Sequence, residues 1–313
     1  MLGKFANMPI IMHFADHLIA EMKKKNSAVC VGLDPRLAQL PAFIVNEQRE
    51  IHGDTFTAVA NAFLVFNKGI IDAVKDLVPC VKVQIAFYEE YGFQGIWAFE
   101  ETCKYAKEAG LIVIADAKRN DIGSTAEAYA KAFIGKTELF GEKIAVYDAD
   151  AVTVTPYLGY DGIKPFIEAS NHGEKGIFVL VKTSNPSAGD LQERVTVDEK
   201  MSVAALMAHF VESWGSEDLG EFGYSNVGAV VAGNSKKEAE TLRKIMPSTF
   251  LLVPGYGAQG GGAEDVAPCF DEDGFGAIVN NSRGIIFASN GVDYAEAARD
   301  AVIKMNEDLN VVR

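Results

Sequence analysis

The sequence predicts an α/β fold, a (β/α)8 TIM barrel forming a single domain over residues 1–313. Three observations carry this. Eight short β-rich runs recur along the 313 residues, separated mostly by stretches of helical periodicity. These runs are apolar on both faces, the pattern of a parallel sheet covered by helices. No linker rich in Pro, Gly or Ser divides the chain, and no internal repeat is visible. Eight alternating units favour a closed barrel over an open doubly wound sheet, and such barrels need roughly 250 residues plus insertions. At 49% hydrophobic, the chain can bury the core this requires.

Taken in order, residues 14–25 pattern as an amphipathic helix ahead of the first strand, SAVCVGLDPR (27–36). Pro35 stops that strand and Asp34 stands at its mouth. A polar stretch with mixed signals, about 36–56, is an insertion. Residues 61–77 then set Phe63, Phe66, Ile70 and Val74 at helical spacings. VPCVKVQIAFYE (78–89) is the second strand, with Lys82 on the same face as Cys80 and Gln84. The helix at 93–110 buries Ile96, Phe99, Cys103 and Ala106 and stops at Gly110. The third strand runs into IADAKRNDIGSTAEAYA (114–130), where Ser124 and Glu127 predict a capping box. A second polar insertion occupies 135–148. Strand 150–159 precedes a helix at 161–170, and strand 176–190 ends in the polar loop KTSNPS before a helix at 197–214. Strand 227–234 leads to a helix that Ser235 and Glu238 are expected to cap and Pro247 to end. The runs 250–262 and 276–286 are the last two strands, and a helix at 294–309 finishes the chain.

The net charge of −14, from 43 acidic against 29 basic residues, argues against nucleic acid or an anionic membrane as partner. An anionic ligand then has to be held by locally concentrated cations. Cys30, Cys80, Cys103 and Cys269 show no metal-like spacing and read as reduced core residues. His13, His17, His52, His172 and His209 form no ligand pair near a barrel mouth, so no metal site is indicated. No run reaches the roughly 18 apolar residues of a membrane span. A cytoplasmic protein is the expectation.

Chemistry in such barrels sits at the C-terminal ends of the strands, and the odd polar residues fall there. Asp116 and Lys118 project from one face of the third strand, with Asp121 just beyond and Lys82 supplied by the neighbouring strand. Charges at a strand end cost several kcal/mol to bury unless paired. A rim salt-bridge network is the bland alternative, but adding Lys82 makes it an expensive one. Such a tetrad can hold a protonated lysine at a fixed point, to stabilise negative charge on a carbon or protonate it. After the last two strands, GYGAQGGG presents Gly255, Gly257, Gly260, Gly261 and Gly262, and NSRGII presents Arg283 beside Gly284. In barrels these two loops frequently bind phosphate, and arginine matches phosphate bidentately. Gly255-x-Gly257-x-x-Gly260 also matches the dinucleotide fingerprint. It comes too late in the chain and lacks an acid at the end of a following strand, so that reading is set aside. Read alone, Asp34 is a strand-end cap and Ser184 a turn residue.

With these residues assembled, the chain resembles the orotidine 5'-phosphate decarboxylase family, in its longer bacterial-type branch, over nearly its full length. DAKRNDIGST is similar to the catalytic motif of that family, which implies catalytic roles for Asp116, Lys118 and Asp121, with Lys82 as the second catalytic lysine. The resemblance further implies a ribose contact for Asp34, a pyrimidine contact for Ser184, and a phosphate site from Gln259 and Arg283, with Gly260 and Gly284 beside them. Thr125, with Asp121, is expected to reach into the partner subunit's site in a homodimer. The implied reaction is loss of carbon dioxide from orotidine 5'-monophosphate to give UMP, the last step of de novo pyrimidine nucleotide synthesis, without metal or organic cofactor. Asp116 is expected against the substrate carboxylate, Lys118 at C6, and Lys82 and Asp121 holding both. Two alternatives stand beside it: a magnesium-dependent sugar-phosphate decarboxylase or aldolase of the same barrel, and a non-catalytic phosphate-ester binding protein. TSNP and GAQGG favour the nucleotide.

Overall fold

The computed structural model describes residues 12–170, 173–233, 235–257 and 261–313. Eight parallel strands close into a barrel in sequential order. They are β1 (Val29–Leu33), β2 (Cys80–Gln84), β3 (Ile112–Arg119), β4 (Ala151–Val154), β5 (Gly176–Lys182), β6 (Ser225–Val231), β7 (Thr249–Val253) and β8 (Ala277–Asn281). The longer helices are α1 (Phe14–Lys25), α2 (Ala42–His52), α3 (Phe56–Val74), α4 (Gly92–Glu108), α5 (Gly123–Phe133), α6 (Tyr160–Ala169), α7 (Val203–Gly215), α8 (Lys236–Ile245) and α9 (Tyr294–Asn310). Because the helices cover the outside and side chains fill the inside, the strands are buried on both faces, which is why they read as continuous apolar runs.

Helix α1 closes the N-terminal end of the barrel. Phe14 packs edge-on against Phe178 of β5, with ring centroids 6.0 Å apart. Gly176 leaves the room for it, since a Cβ there would lie 2.3 Å from the Phe14 ring. Asp16 is buried and accepts hydrogen bonds from the Glu221 and Phe222 amides, fixing the plug to the loop before β6. The opposite end, where the strands finish, stays open.

Several local expectations change. The insertion at 36–56 contains helix α2, and α3 begins earlier than the periodicity suggests, at Phe56, because the Thr55 hydroxyl caps the Ala58 amide. By length and composition alone, α3 could cross a membrane, but Phe63, Phe66, Ile70 and Val74 are fully buried in the core. The insertion at 135–148 is an antiparallel hairpin of Thr137–Leu139 and Glu142–Ile144. Neither expected capping box forms. Helix α5 starts at Gly123, so Ser124 already lies inside its first turn. Ser235 stands at the start of α8 without a side-chain cap, and Glu238 turns instead to Lys182, 3.0 Å away. All four cysteines are free and buried.

One irregularity matters for the site. Most strand pairs keep a simple register, with Gly32 beside Lys82 and Gln84 beside Asp116. Between β3 and β4, however, Ala115 pairs with Val152 and Arg119 with Val154, so four steps on β3 span two on β4. The extra length is a bulge centred on residues 116–118.

Candidate active site

The bulge brings the polar end of β3 over the barrel mouth. Asp116 is buried, and each of its carboxylate oxygens accepts two hydrogen bonds. Oδ1 receives the Lys118 ammonium at 2.6 Å and the Thr153 hydroxyl at 2.9 Å. Oδ2 receives Lys82 Nζ and Gln84 Nε2, both at 2.8 Å. Lys82 is as buried as its partner, whereas the Lys118 side chain is 44% exposed and faces the opening. Asp34, just past β1, places Oδ1 3.7 Å from Lys82 Nζ, and that oxygen is buried without a hydrogen bond. Charge alternates through Asp34, Lys82, Asp116 and Lys118, with Asp34 where the sequence leads us to expect Asp121.

Burial opposes the charges on Asp116 and Lys82, so their pairing has to outweigh it. Burial would raise the Asp116 carboxyl, but Lys82 and Lys118 hold it well below the usual carboxylate range. Burial would lower the Lys82 ammonium, but Asp116 and Asp34 keep it above the ordinary lysine value. Asp116 and Lys82 are thus held as an ionised pair at the centre.

Asp121 stands apart within the chain. Its carboxylate accepts the Ile122 amide at 2.8 Å, and among the described residues no hydrogen bond or ion pair joins it to Lys82, Asp116 or Lys118. Thr125, one turn into α5, is exposed. Asp121 also abuts the start of α6, where a Cβ on Gly162 would lie 2.9 Å from the Asp121 carbonyl oxygen.

The rest of the mouth is polar. Ser184 is half-buried in a loop whose base is tied together: Thr183 donates its amide to Gln192, accepts from the same amide group and donates its hydroxyl to Asn185. Beneath it the buried Lys182 ammonium bridges Glu193 and Glu238. Across the barrel, Arg283 is exposed and makes no ion pair among the described residues, and the Gly284 amide is held by Asn281. The two glycine-rich loops are neighbours, since a Cβ on Gly257 would come within 3.7 Å of the Asn281 amide nitrogen. Gln259 and Gly260 lie outside the described residues. Among those described, no group of three His, Cys, Asp or Glu side chains is arranged to hold a metal. A separate apolar groove between α2 and α3, lined by Leu37, Val45, Phe56 and Tyr91, has only the Arg49–Asp54 pair at its rim and lacks the charges that reaction needs.

Three residues at the mouth escape sequence reasoning. Gln84 is two positions from Lys82, so strand alternation already puts it on the right face. Thr153 lies in an unremarkable TVT run; the register that pairs Ala115 with Val152 sets it beside Asp116, and the bulge returns the Lys118 amide to it. Asn280 pairs with Cys30, one strand away from Lys82, and its side-chain oxygen is buried without a partner.

The chain is similar to known proteins over nearly its full length. A chain from Rhodopirellula baltica named orotidine 5'-phosphate decarboxylase is 46% identical over 96% of this chain and 99% of its own length. One of the same name from Caldicellulosiruptor saccharolyticus is 41% identical, with the same two coverages. The solved structure of Leishmania donovani OMP decarboxylase superposes with a TM-score of 0.72 at 29% identity, covering 96% of this chain and all of that one. The family model described as orotidine 5'-phosphate decarboxylase / HUMPS matches residues 27–298, and with these near full-length likenesses the chain belongs to that family.

Proposed function

We propose that this chain converts orotidine 5'-monophosphate to UMP and carbon dioxide, and that Lys118 is the acid that completes the reaction. The observation that carries this reading is the Lys118 ammonium, open to the barrel mouth and held 2.6 Å from an ionised, fully hydrogen-bonded Asp116. The bond from C6 to its carboxylate breaks, carbon dioxide leaves, and the electron pair stays on C6. The adjacent ammonium stabilises that pair and then transfers a proton to it, leaving a neutral amine that solvent reprotonates. Because the charges stand in place before substrate arrives, little reorganisation accompanies the change. Asp116 cannot easily serve as a metal ligand here, since both oxygens are engaged by cations and neutral donors.

Around this centre, Asp34 is assigned to the ribose, Ser184 to the pyrimidine, and Arg283, Gln259, Gly260 and Gly284 to the phosphate. We further assign Asp121 and Thr125 to the partner subunit's site in a homodimer. The absence, among the described residues, of a hydrogen bond or ion pair from Asp121 to Lys82, Asp116 or Lys118 supports this, as does the exposed Ile122 next to it. A cytoplasmic location is in keeping with four unpaired cysteines.

Ultraviolet loss of orotidine 5'-monophosphate, followed with and without a chelator, tests the reading. Turnover indifferent to chelator and reduced at least about 10³-fold in Lys118→Ala is the expected result. Activity abolished by chelator indicates the metal-dependent alternative, and tight binding without turnover indicates a binding protein.

A further inference from the structure

The backbone at Lys118 is unusual. Its φ of +47° lies in the left-handed region, which a lysine rarely adopts and which persists only where surrounding contacts hold it. The bulge explains the conformation: four steps of β3 must fit against two of β4, and the turn at residue 118 folds the lysine back over Asp116. What retains it is Thr153, at the midpoint of the short side. Its hydroxyl oxygen accepts the Lys118 amide at 2.9 Å, and its proton goes to Asp116 Oδ1, also at 2.9 Å. Thr153 is only 1% exposed, so neither bond competes with water. A little further along, the Thr155 hydroxyl reaches the Lys118 carbonyl at 3.3 Å, and the Thr155 amide rejoins the strand pairing through Arg119.

The hydroxyl has a fixed polarity here. An ionised carboxylate can only accept and an amide can only donate, so the group between them must do both. Valine matches threonine in shape and can do neither. Alanine and cysteine fail for the same reason or by weaker bonding. Serine keeps the function and gives up one methyl.

We propose that Thr153 is a positioning residue: its hydroxyl clamps the left-handed backbone of Lys118 to Asp116, and so fixes where the Lys118 ammonium stands at the reacting carbon. Thr153, 1% exposed, acts through Lys118 and Asp116. The proposal rests on the assigned role of Lys118 and extends it to a residue on a different strand. A displacement of about 1 Å in a reacting group can cost about 100-fold in rate, which sets the expected scale.

The test compares Thr153→Val with Thr153→Ser in the full-length protein. Thr153→Val is expected to lose about 100-fold in kcat with KM changed less than about threefold, because binding groups elsewhere are intact, while Thr153→Ser returns kcat to within about fivefold of the unaltered chain. Equal losses in both variants, or wild-type kcat in Thr153→Val, overturn the proposal. Thr153→Ala, with no hydroxyl and less bulk, serves if Thr153→Val does not fold. Hydrogen exchange at the Lys118 amide reads the clamp without substrate. Protection lost in Thr153→Val and kept in Thr153→Ser supports it, and protection unchanged in Thr153→Val overturns it. An unaltered chain that leaves orotidine 5'-monophosphate intact, while exchange follows the hydroxyl, refutes the assigned reaction and sustains the clamp.

Discussion

At the scale of single residues, Asp116 is the pivot, because two ammonium groups and two neutral donors converge on one carboxylate. Its folded value is depressed, so its contribution to stability is fully present above the unfolded carboxylate value of about 3.9 and is lost as pH falls through the lower folded value. Lys82 is raised, so its contribution is full below about 10.4 and fades as pH rises through the higher folded value. Asp116→Asn strands a buried ammonium and is expected to cost about 3–5 kcal/mol. In urea titrations the gap between Asp116→Asn and the unaltered chain should stay flat from about pH 5 to 9 and narrow below about pH 4. A gap indifferent to acid contradicts the ionised pair. On the proposed reading Arg283 holds the phosphate at the other end of the ligand. Its guanidinium makes no ion pair among the described residues, and if it uses phosphate binding in the transition state, Arg283→Ala should lower kcat/KM by about 30-fold or more, measured with the same ultraviolet assay. An unchanged value removes the phosphate site from this loop.

At the scale of elements, the catalytic end depends on how firmly the other end is held. Arg243, on α8, is half-buried, with no carboxylate bonded to it among the described residues. Its guanidinium donates instead to the backbone carbonyls of Met246, Thr249, Cys269 and Gly276 at 2.7–2.9 Å. Those carbonyls lie where α8 ends and where β7 and β8 begin, so one side chain ties three elements together. Arg243→Met should lower stability by about 2–4 kcal/mol by leaving several buried acceptors unpaired, while kcat at low temperature stays near that of the unaltered chain. Thermal unfolding with parallel kinetics checks this. The bulge in β3 is the contrasting case, an irregular element at the functional end, kept by specific hydrogen bonds.

At the scale of the whole molecule, one chain carries Lys82, Asp116 and Lys118 together but leaves Asp121 turned to its own backbone. If two subunits share their sites, Lys118→Ala and Asp121→Ala should complement when subunits are exchanged. A mixed dimer then holds one site with its own Lys118 and the partner's intact aspartate. Mixed dimers make up half of a random population, so about a quarter of full activity should return. Activity no greater than the sum of the separate variants excludes sharing.

The barrel, and the gathering of Lys82, Asp116 and Lys118 at its mouth, were legible because both depend largely on short-range patterns. Apolar runs separated by helical periods encode a parallel sheet, and alternation puts Lys82 with Gln84 on one face of β2 and Asp116 on one face of β3, while the position of Lys118 depends on the bulge. Gln84 was within reach of the same rule. Thr153 and Asn280 were not, since their sequence neighbours are ordinary and their meaning comes from cross-strand register, β4 against β3 for Thr153 and β8 against β1 for Asn280. The capping boxes failed for a related reason: the motif gave the residues, but the chain path from β3 set where the helix began. By itself the sequence determined the architecture and the charges of the centre. Tertiary structure alone decided their geometry, because a register shift between β3 and β4, invisible in either strand, folds Lys118 back onto Asp116 and places a threonine hydroxyl between them.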